Sequence, residues 1–490
     1  MIPVYQNSSE LEKLAKDKFA IPQFLMMENA AKSMADFILQ KAADEADSTD
    51  KSIVIVCGKG NNGGDGYALA RLLQDKLEIT ILAFEAPAAE EARVQYEMCL
   101  RLGIKILSSE NQDDLKSFEK ACKKADFIVD CLYGTGFHGE LKSSAADILN
   151  LMNKGKGVKI ACDISSGLAF NADYTITMGC QKLSLFSDKA KAVSGQIILA
   201  DLGISRRNFE NQVSANTWLI EADDRKLPLR KNRAAHKGSY GHTAVLCGDK
   251  AGAAILSATA AMNFGSGLTS LVKTSASDLN QFKISPALMI SDSIPAKTTC
   301  IALGSGFSDF SDQAADLLIN WFEKSTSPAL VLDAGLLTSP KTPELLSKLN
   351  TFDKARIILT PHLAELSKLL ENCGASEYKV SVLADNPELK SEAGLFLTKR
   401  FPQTTVIMKS ANTFIASSDQ IFIIADGVPS LAKGGSGDIL AGMAASLLAQ
   451  GYTAKDAAIT AAEHHAVTAR CLGEEAYNLT PEALLAKIIL

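Results

Sequence analysis

Residues 58–66 read GKGNNGGDG, five glycines, two asparagines and an aspartate placed directly behind the apolar run SIVIVC at 52–57. Glycine lets another molecule approach the main chain, so such a cluster after a buried strand points to a ligand cradled by backbone N–H groups, with the Asp65 carboxylate beside it. The spacing Gly58-x-Gly60-x-x-Gly63 also matches the dinucleotide fingerprint, and Glu85 ends the next apolar run at the distance of a ribose contact. In that fingerprint the third glycine leads straight into a helix, whereas Gly64-Asp65-Gly66 follows here. Glycine inside a helix is about 1 kcal/mol worse than alanine, so the helix is expected to begin at Tyr67 and to leave a longer loop. The second stretch of this kind is LAKGGSGDILAGMAASLLAQG, 431–451. There Gly435, Ser436 and Gly437 lead into an amphipathic helix whose first turn carries Asp438. Main-chain N–H groups and the helix dipole would hold an anion while Asp438 takes a proton from a hydroxyl, which is the equipment of phosphoryl transfer.

Both stretches must be positioned by regular elements. Ser9 with Glu12 forms a capping-box signal, and Met27, Ala31, Met34, Ala35 and Ile38 follow at helical spacing. From 52 onward SIVIVC, EITILAF, GIKIL, FIVDC, VKIACD, ADYTITMG and GQIILADL alternate with helical stretches, which predicts βαβ units around a mostly parallel sheet. That series ends near 212, and the polar stretch 221–241 reads as a linker. A second series then runs HTAVLCG, LTSLVK, CIALGSG, PALVLDAG, ARIILTPH, TTVIMKS, TFIAS and QIFIIADG. The prediction is two tandem α/β domains, 1–212 and 222–490, the first a Rossmann-like three-layer sandwich; 490 residues exceed what one core usually supports.

Composition excludes several classes. With 47% hydrophobic and 22% charged residues and a net charge of −6, the chain is an ordinary soluble protein with nothing that advertises nucleic acid. Ten cysteines without a C-x-x-C pair read as buried thiols of a reducing cytoplasm. The start lacks a basic and an apolar region, and no apolar stretch reaches membrane-spanning length, so neither a signal peptide nor a membrane partner is expected. The six histidines lack metal-ligand spacing, and His464-His465 lie in a helical pattern and read as helix packing or surface rather than ligands.

In an open parallel sheet, ligands bind at the carboxyl ends of strands. Asn61 to Asp65, Asp130 with GTGFHGE at 134–140, and Asp163-Ile164-Ser165-Ser166-Gly167 all follow apolar runs. MENAA, GNNGGDG, VDCLYGTG and DISSGL resemble the NAD(P)HX epimerases, which repair hydrated nicotinamide cofactors, over most of 10–205. The resemblance implies that Asn61, Asn62, Gly63, Gly64 and Asp65, with Gly134, Thr135, Gly136, Phe137, His138, Gly139 and Glu140, contact the substrate. It further implies that Asn62, Asp130 and Ser166 hold potassium, and that Asp163 binds substrate and is the acid/base at the epimerised carbon. Ser165 stands where that family usually has proline.

The second half resembles the ribokinase-like kinases. Within them, HKGSYG, ALGSG, VLDAG, LTPHLAEL, MKSANT and AKGGSGD look like the ADP- or ATP-dependent NAD(P)HX dehydratases over about 230–485. The resemblance implies that Ala253, Gly306, His362 and Asp438 line the hydrate site, with Asp438 the base. Lys409, Ser410, Ala411, Asn412, Thr413 and Gly437 would hold the nucleotide, and Glu365 would position magnesium through water. Leu363-Ala364 and Ser410 depart from the family pattern. The expected activity is epimerisation of R- and S-NADHX and NADPHX with dehydration of the S form at the expense of a nucleotide. ADP is favoured by likeness to prokaryotic bifunctional enzymes, and a homo-oligomer is expected. A small-molecule kinase with a regulatory dinucleotide-binding domain is the rival enzyme, and a dinucleotide sensor the rival without turnover.

Overall fold

The structure, a computed structural model, describes all residues except 7, 45–50, 138, 275, 309–311 and 489–490. The chain divides into two compact units, Pro3–Ala215 and Asn216–Leu490 with Met1–Ile2. Residues 221–241, which read as a linker, thus follow the division at Ala215; Lys226 there donates its N–H to Thr460 and pairs with Asp456 at 2.9 Å. No helix among the described residues is long and apolar enough to cross a membrane.

The first unit carries a seven-stranded, wholly parallel sheet. Its strands lie side by side in the order Ile106–Ser108, Glu78–Ala83, Ser52–Cys57, Phe127–Cys131, Val158–Cys162, Tyr174–Met178, Gln196–Ala200. Period-two alternation sends Ile53, Ile55 and Cys57 to a core shared with helices Gln23–Asp44 and Asn61–Leu73, and Val54 and Val56 to a core with Phe118 and Ile148. The strand order reverses between Ser52–Cys57 and Phe127–Cys131, so the loops after these strands part and open a crevice. A short strand, Gln181–Lys182, pairs in parallel with the N-terminal strand through Tyr5 and Lys182.

The helix after the glycine cluster begins at Asn61, not at Tyr67, so Gly63, Gly64 and Gly66 are helical. Their propensity cost is outweighed because the helix lies against backbone that leaves no room for a side chain. A Cβ on Gly63 would stand 1.9 Å from the Gly58 carbonyl oxygen, and one on Gly66 would stand 2.7 Å from the Cys57 Sγ. The glycines therefore serve close packing of the helix on the strand ends first. Gly63→Ala should destabilise this unit by about 1–3 kcal/mol, the usual cost of overpacking. Gly60→Ala, which meets nothing within 4 Å, should lose only the roughly 0.5–1 kcal/mol of a poorer N-cap. Urea midpoints of the two variants check this; equal midpoints would refute the steric account. The first helix is also shifted from its expected start: its N-cap is Ser8, with no side-chain capping bond, and the Ser8 hydroxyl bonds the Glu12 carboxylate.

The second unit orders its strands Met289–Ser291, Leu268–Lys273, His242–Cys247, Cys300–Leu303, Ala329–Leu332, Arg356–Leu359, Thr404–Met408, Thr413–Ser417, Gln420–Ile424, Thr217–Leu219. All neighbours are parallel except the two antiparallel pairings that Thr413–Ser417 makes. The reversal lies between His242–Cys247 and Cys300–Leu303. Helices Ala251–Asn263 and Ser436–Ala449 cross there in close contact: a Cβ on Gly442 would stand 2.1 Å from the Ser257 carbonyl oxygen. All the strands expected in both series are present. Ile2–Tyr5, Gln181–Lys182, Thr217–Leu219 and Met289–Ser291 are additional.

Candidate active sites

At the reversal point of the first sheet lies a cleft of about 560 Å³, lined by Asn61, Asn62, Asp65, Gly134, Thr135, Gly136, Phe137 and Asp163 among others. Gly63 and Gly64 are buried in the helix behind it, Gly139 and Glu140 are exposed and outside the lining, and His138 lies outside the described residues. Asp130 is fully buried at the end of its strand. It accepts from the Ser166 N–H at 2.9 Å, the Ser166 hydroxyl at 2.7 Å and the Leu132 N–H at 3.1 Å. Burial pushes its carboxyl up to about 6 despite these bonds. Asn62 stands beside Gly134, and its amide nitrogen is buried without a partner among the described residues.

Asp163 has left-handed backbone, φ 69°, which turns its side chain back over the strand ends. Its Oδ1 accepts from Lys182 Nζ at 2.5 Å, the Met178 N–H at 3.0 Å and the Thr177 hydroxyl at 3.3 Å. Asp65 also lines the cleft; burial, then the Asp163 charge, holds its carboxyl well above the ordinary range. At the mouth, Glu85 pairs with Lys142 at 3.0 Å and Lys59 at 3.5 Å. Sequence reasoning missed Lys182, Lys59 and Lys142. Only Lys182 left a trace, as a lone charge in the run MGCQKLSLF.

The second site is built at the carboxyl edge of the second sheet. Asp438 sits in the first turn of its helix, behind Gly435 at φ 94°. Burial, then the Asp333 charge, raises its carboxyl to about 6, against a hydrogen bond from Ser305 and the nearby Lys409 ammonium. Lys409 Nζ bonds Asp333 at 3.1 Å, and Thr360 bonds the same carboxylate oxygen at 2.7 Å. His362 caps the helix Leu363–Asn372 and shares a capping box with Glu365, whose carboxylate accepts the His362 N–H at 2.9 Å. Lys409 bridges to His362 across the strand ends.

Gly306 and Ala253 adjoin: a Cβ on Gly306, φ 79°, would stand 3.4 Å from that of Ala253. A Cβ on Gly437 would stand 3.2 Å from Lys409 Nζ. The expected residues Ala253, Gly306, His362, Lys409, Gly437 and Asp438 thus gather around one point. Ser410, Ala411, Asn412 and Thr413 continue from Lys409 in the turn to the next strand. Asp333, Ser305 and Thr360 join them and were not singled out from sequence. His465, buried and lowered to about 4 by its burial, faces Ser436 at 3.4 Å, which keeps it a packing residue as expected.

Comparison with known proteins matches the two halves of the chain to different family models. Residues 24–184 match the family described as YjeF-related protein N-terminus, and 243–490 match NAD(P)H-hydrate dehydratase. The bifunctional NAD(P)H-hydrate repair enzyme Nnr of Helicobacter pylori is 34% identical, covering 100% of this chain and 99% of that one. The enzyme of the same name from Moorella thermoacetica is 29% identical over 93% of this chain and 89% of its own. A solved ADP/ATP-dependent NAD(P)H-hydrate dehydratase from Bacillus subtilis, co-crystallised with ATP/Mg2+, aligns with TM-score 0.42 at 25% identity, over 53% of this chain and 91% of that one. With its whole length matched at this identity, the chain belongs to the family of bifunctional NAD(P)H-hydrate repair enzymes.

Proposed function

We propose that the first unit interconverts R- and S-NAD(P)HX in its cleft and that the second dehydrates the S form at the expense of ADP or ATP. The observation that carries this reading is Asp438: a buried carboxylate in the first turn of a glycine-led helix, hydrogen-bonded to Ser305, with Lys409 alongside. A hydroxyl presented there gives its proton to Asp438 while the helix N-terminus steadies the incoming phosphoryl group. The phosphorylated hydroxyl then leaves as phosphate with the C6–O bonding pair while the adjacent ring carbon gives up a proton to solvent, and the C–H pair becomes the restored dihydronicotinamide double bond. Glu365, through water, and Asp333 are the acidic side chains that would hold magnesium, which would neutralise charge on the transferring phosphoryl group. Ala253, Gly306 and His362 line the hydrate side, and Lys409 to Thr413 with Gly437 the nucleotide side.

In the first unit Asp163 moves the proton that inversion at C6 requires, with Asn61 to Asp65 and Gly134 to Phe137 holding the cofactor. The buried Asp130 carboxylate, with the Ser166 hydroxyl oxygen at 2.7 Å and the Asn62 side-chain oxygen, suits a monovalent cation that would balance its charge. Incubating the protein with mixed hydrate epimers should restore dihydronicotinamide absorbance from both when ADP or ATP is added, and leave it unchanged without nucleotide. Accumulation of a stable phosphorylated product instead would overturn the dehydratase reading in favour of a kinase.

A further inference from the structure

We infer that Lys182 is a positioning residue for epimerisation, dedicating one oxygen of Asp163 to structure so that the other is the one Asp163 oxygen presented to substrate. This rests on the reading of Asp163 as the acid/base. The Lys182 side chain is 0% exposed and is not part of the cleft lining, so it cannot touch the substrate and acts through Asp163. Its ammonium has a complete set of three partners: Asp163 Oδ1, the Thr177 hydroxyl at 3.0 Å and the Met178 carbonyl at 2.9 Å. The two latter groups end the strand Tyr174–Met178. Lys182 itself is held by the short parallel pairing with Tyr5, so both walls of its pocket are fixed by sheet.

The consequence falls on Asp163. Three donors converge on Oδ1, and among the described residues none reaches Oδ2, while the side chain keeps 11% exposure to the cleft. A carboxylate free to rotate offers two equivalent oxygens; this one cannot turn without breaking a buried ion pair. The other titratable groups around the pair are Asp65 on the glycine-rich helix, Glu12 on the first helix, and the Cys162 and Cys180 thiols. None of them carries positive charge, so Lys182 is the cation that balances this acidic pocket. Burial pulls its ammonium down, but the Asp163 and Cys180 charges hold it above its ordinary value, so it stays charged across the working range.

The test is the pH profile of epimerisation kcat/KM, after subtraction of the spontaneous rate, for wild type, Lys182→Gln, Lys182→Met and Asp163→Asn. Lys182 balances the charge of the Asp163 carboxylate, so removing it should move the ascending limb of the profile to higher pH, by about 1–3 pH units. Lys182→Gln keeps a donor for Oδ1 without the charge and is the variant to rely on if Lys182→Met does not fold. A shifted ascending limb with the high-pH plateau largely kept supports the inference. A uniform loss at every pH, or no loss, overturns it and leaves Lys182 a fold element. If Asp163→Asn itself epimerises normally, the acid/base reading fails, which is a different result from an unshifted limb in the lysine variants.

Discussion

Asp438→Asn is expected to lower nucleotide-dependent dehydration of the pure S hydrate by about 10²- to 10⁴-fold, the usual cost of losing a general base. Asparagine keeps the shape and can still accept from Ser305, so the helix start and its N–H groups are retained. ADP affinity measured by calorimetry on the same preparation should change little, and epimerisation not at all, since Asp163 lies in the other unit. Retention of most of the turnover would sink the assignment and leave Asp438 as a helix-terminal charge. The pH dependence gives an independent check. The base must be ionised, and burial with the Asp333 charge has raised this carboxyl to about 6, so dehydration should rise through pH 6 and level off above it. Lys409 favours the ionised form. Lys409→Met should therefore move that rise to higher pH.

Much of this was legible in the sequence because the strands are fully buried. A parallel strand covered on both faces, such as Ser52–Cys57, reads as a nearly continuous apolar run, and its carboxyl end is where the next polar residue stands. Reading off those ends singled out Asp65, Asp130 and Asp163 as candidates, whereas His362 came only with the resemblance. The start of the glycine-rich helix was not legible. Propensity argued for a loop through Gly66, but propensity sees one residue at a time, and what decides the matter is Cys57, Cys131 and the Gly58 carbonyl pressing on the helix from the sheet. The partners that tune the carboxylates escaped for a related reason. Lys182 reaches Asp163 from 19 residues along the chain, and Lys409 reaches Asp333 from 76. Neither lysine sits in a recurring pattern with its aspartate, and a lysine in an apolar run reads as an edge or a surface until the fold closes over it. The two-residue strand that carries Lys182 is likewise too short to give an alternation signal.

Asp163→Asn should reduce conversion of the R hydrate to its spontaneous rate, a loss of about 10²- to 10⁴-fold, while the isolated S hydrate is dehydrated as in wild type. The substitution also strands the Lys182 ammonium, which stays buried with only the Thr177 hydroxyl and the Met178 carbonyl as strong partners. Removing one member of a buried ion pair commonly costs about 3–5 kcal/mol, because the remaining charge is left uncompensated. A lost activity could therefore come from a lost fold, and the two must be separated. The double variant Asp163→Asn with Lys182→Met removes both charges and replaces the ammonium by an apolar group of similar length, so its thermal midpoint should recover toward wild type. Its epimerisation should not recover, since no carboxylate faces the ring. If turnover returns together with stability, Asp163 holds the pocket together and another group moves the proton. Asp65, another carboxyl lining the cleft, would then be the first to test.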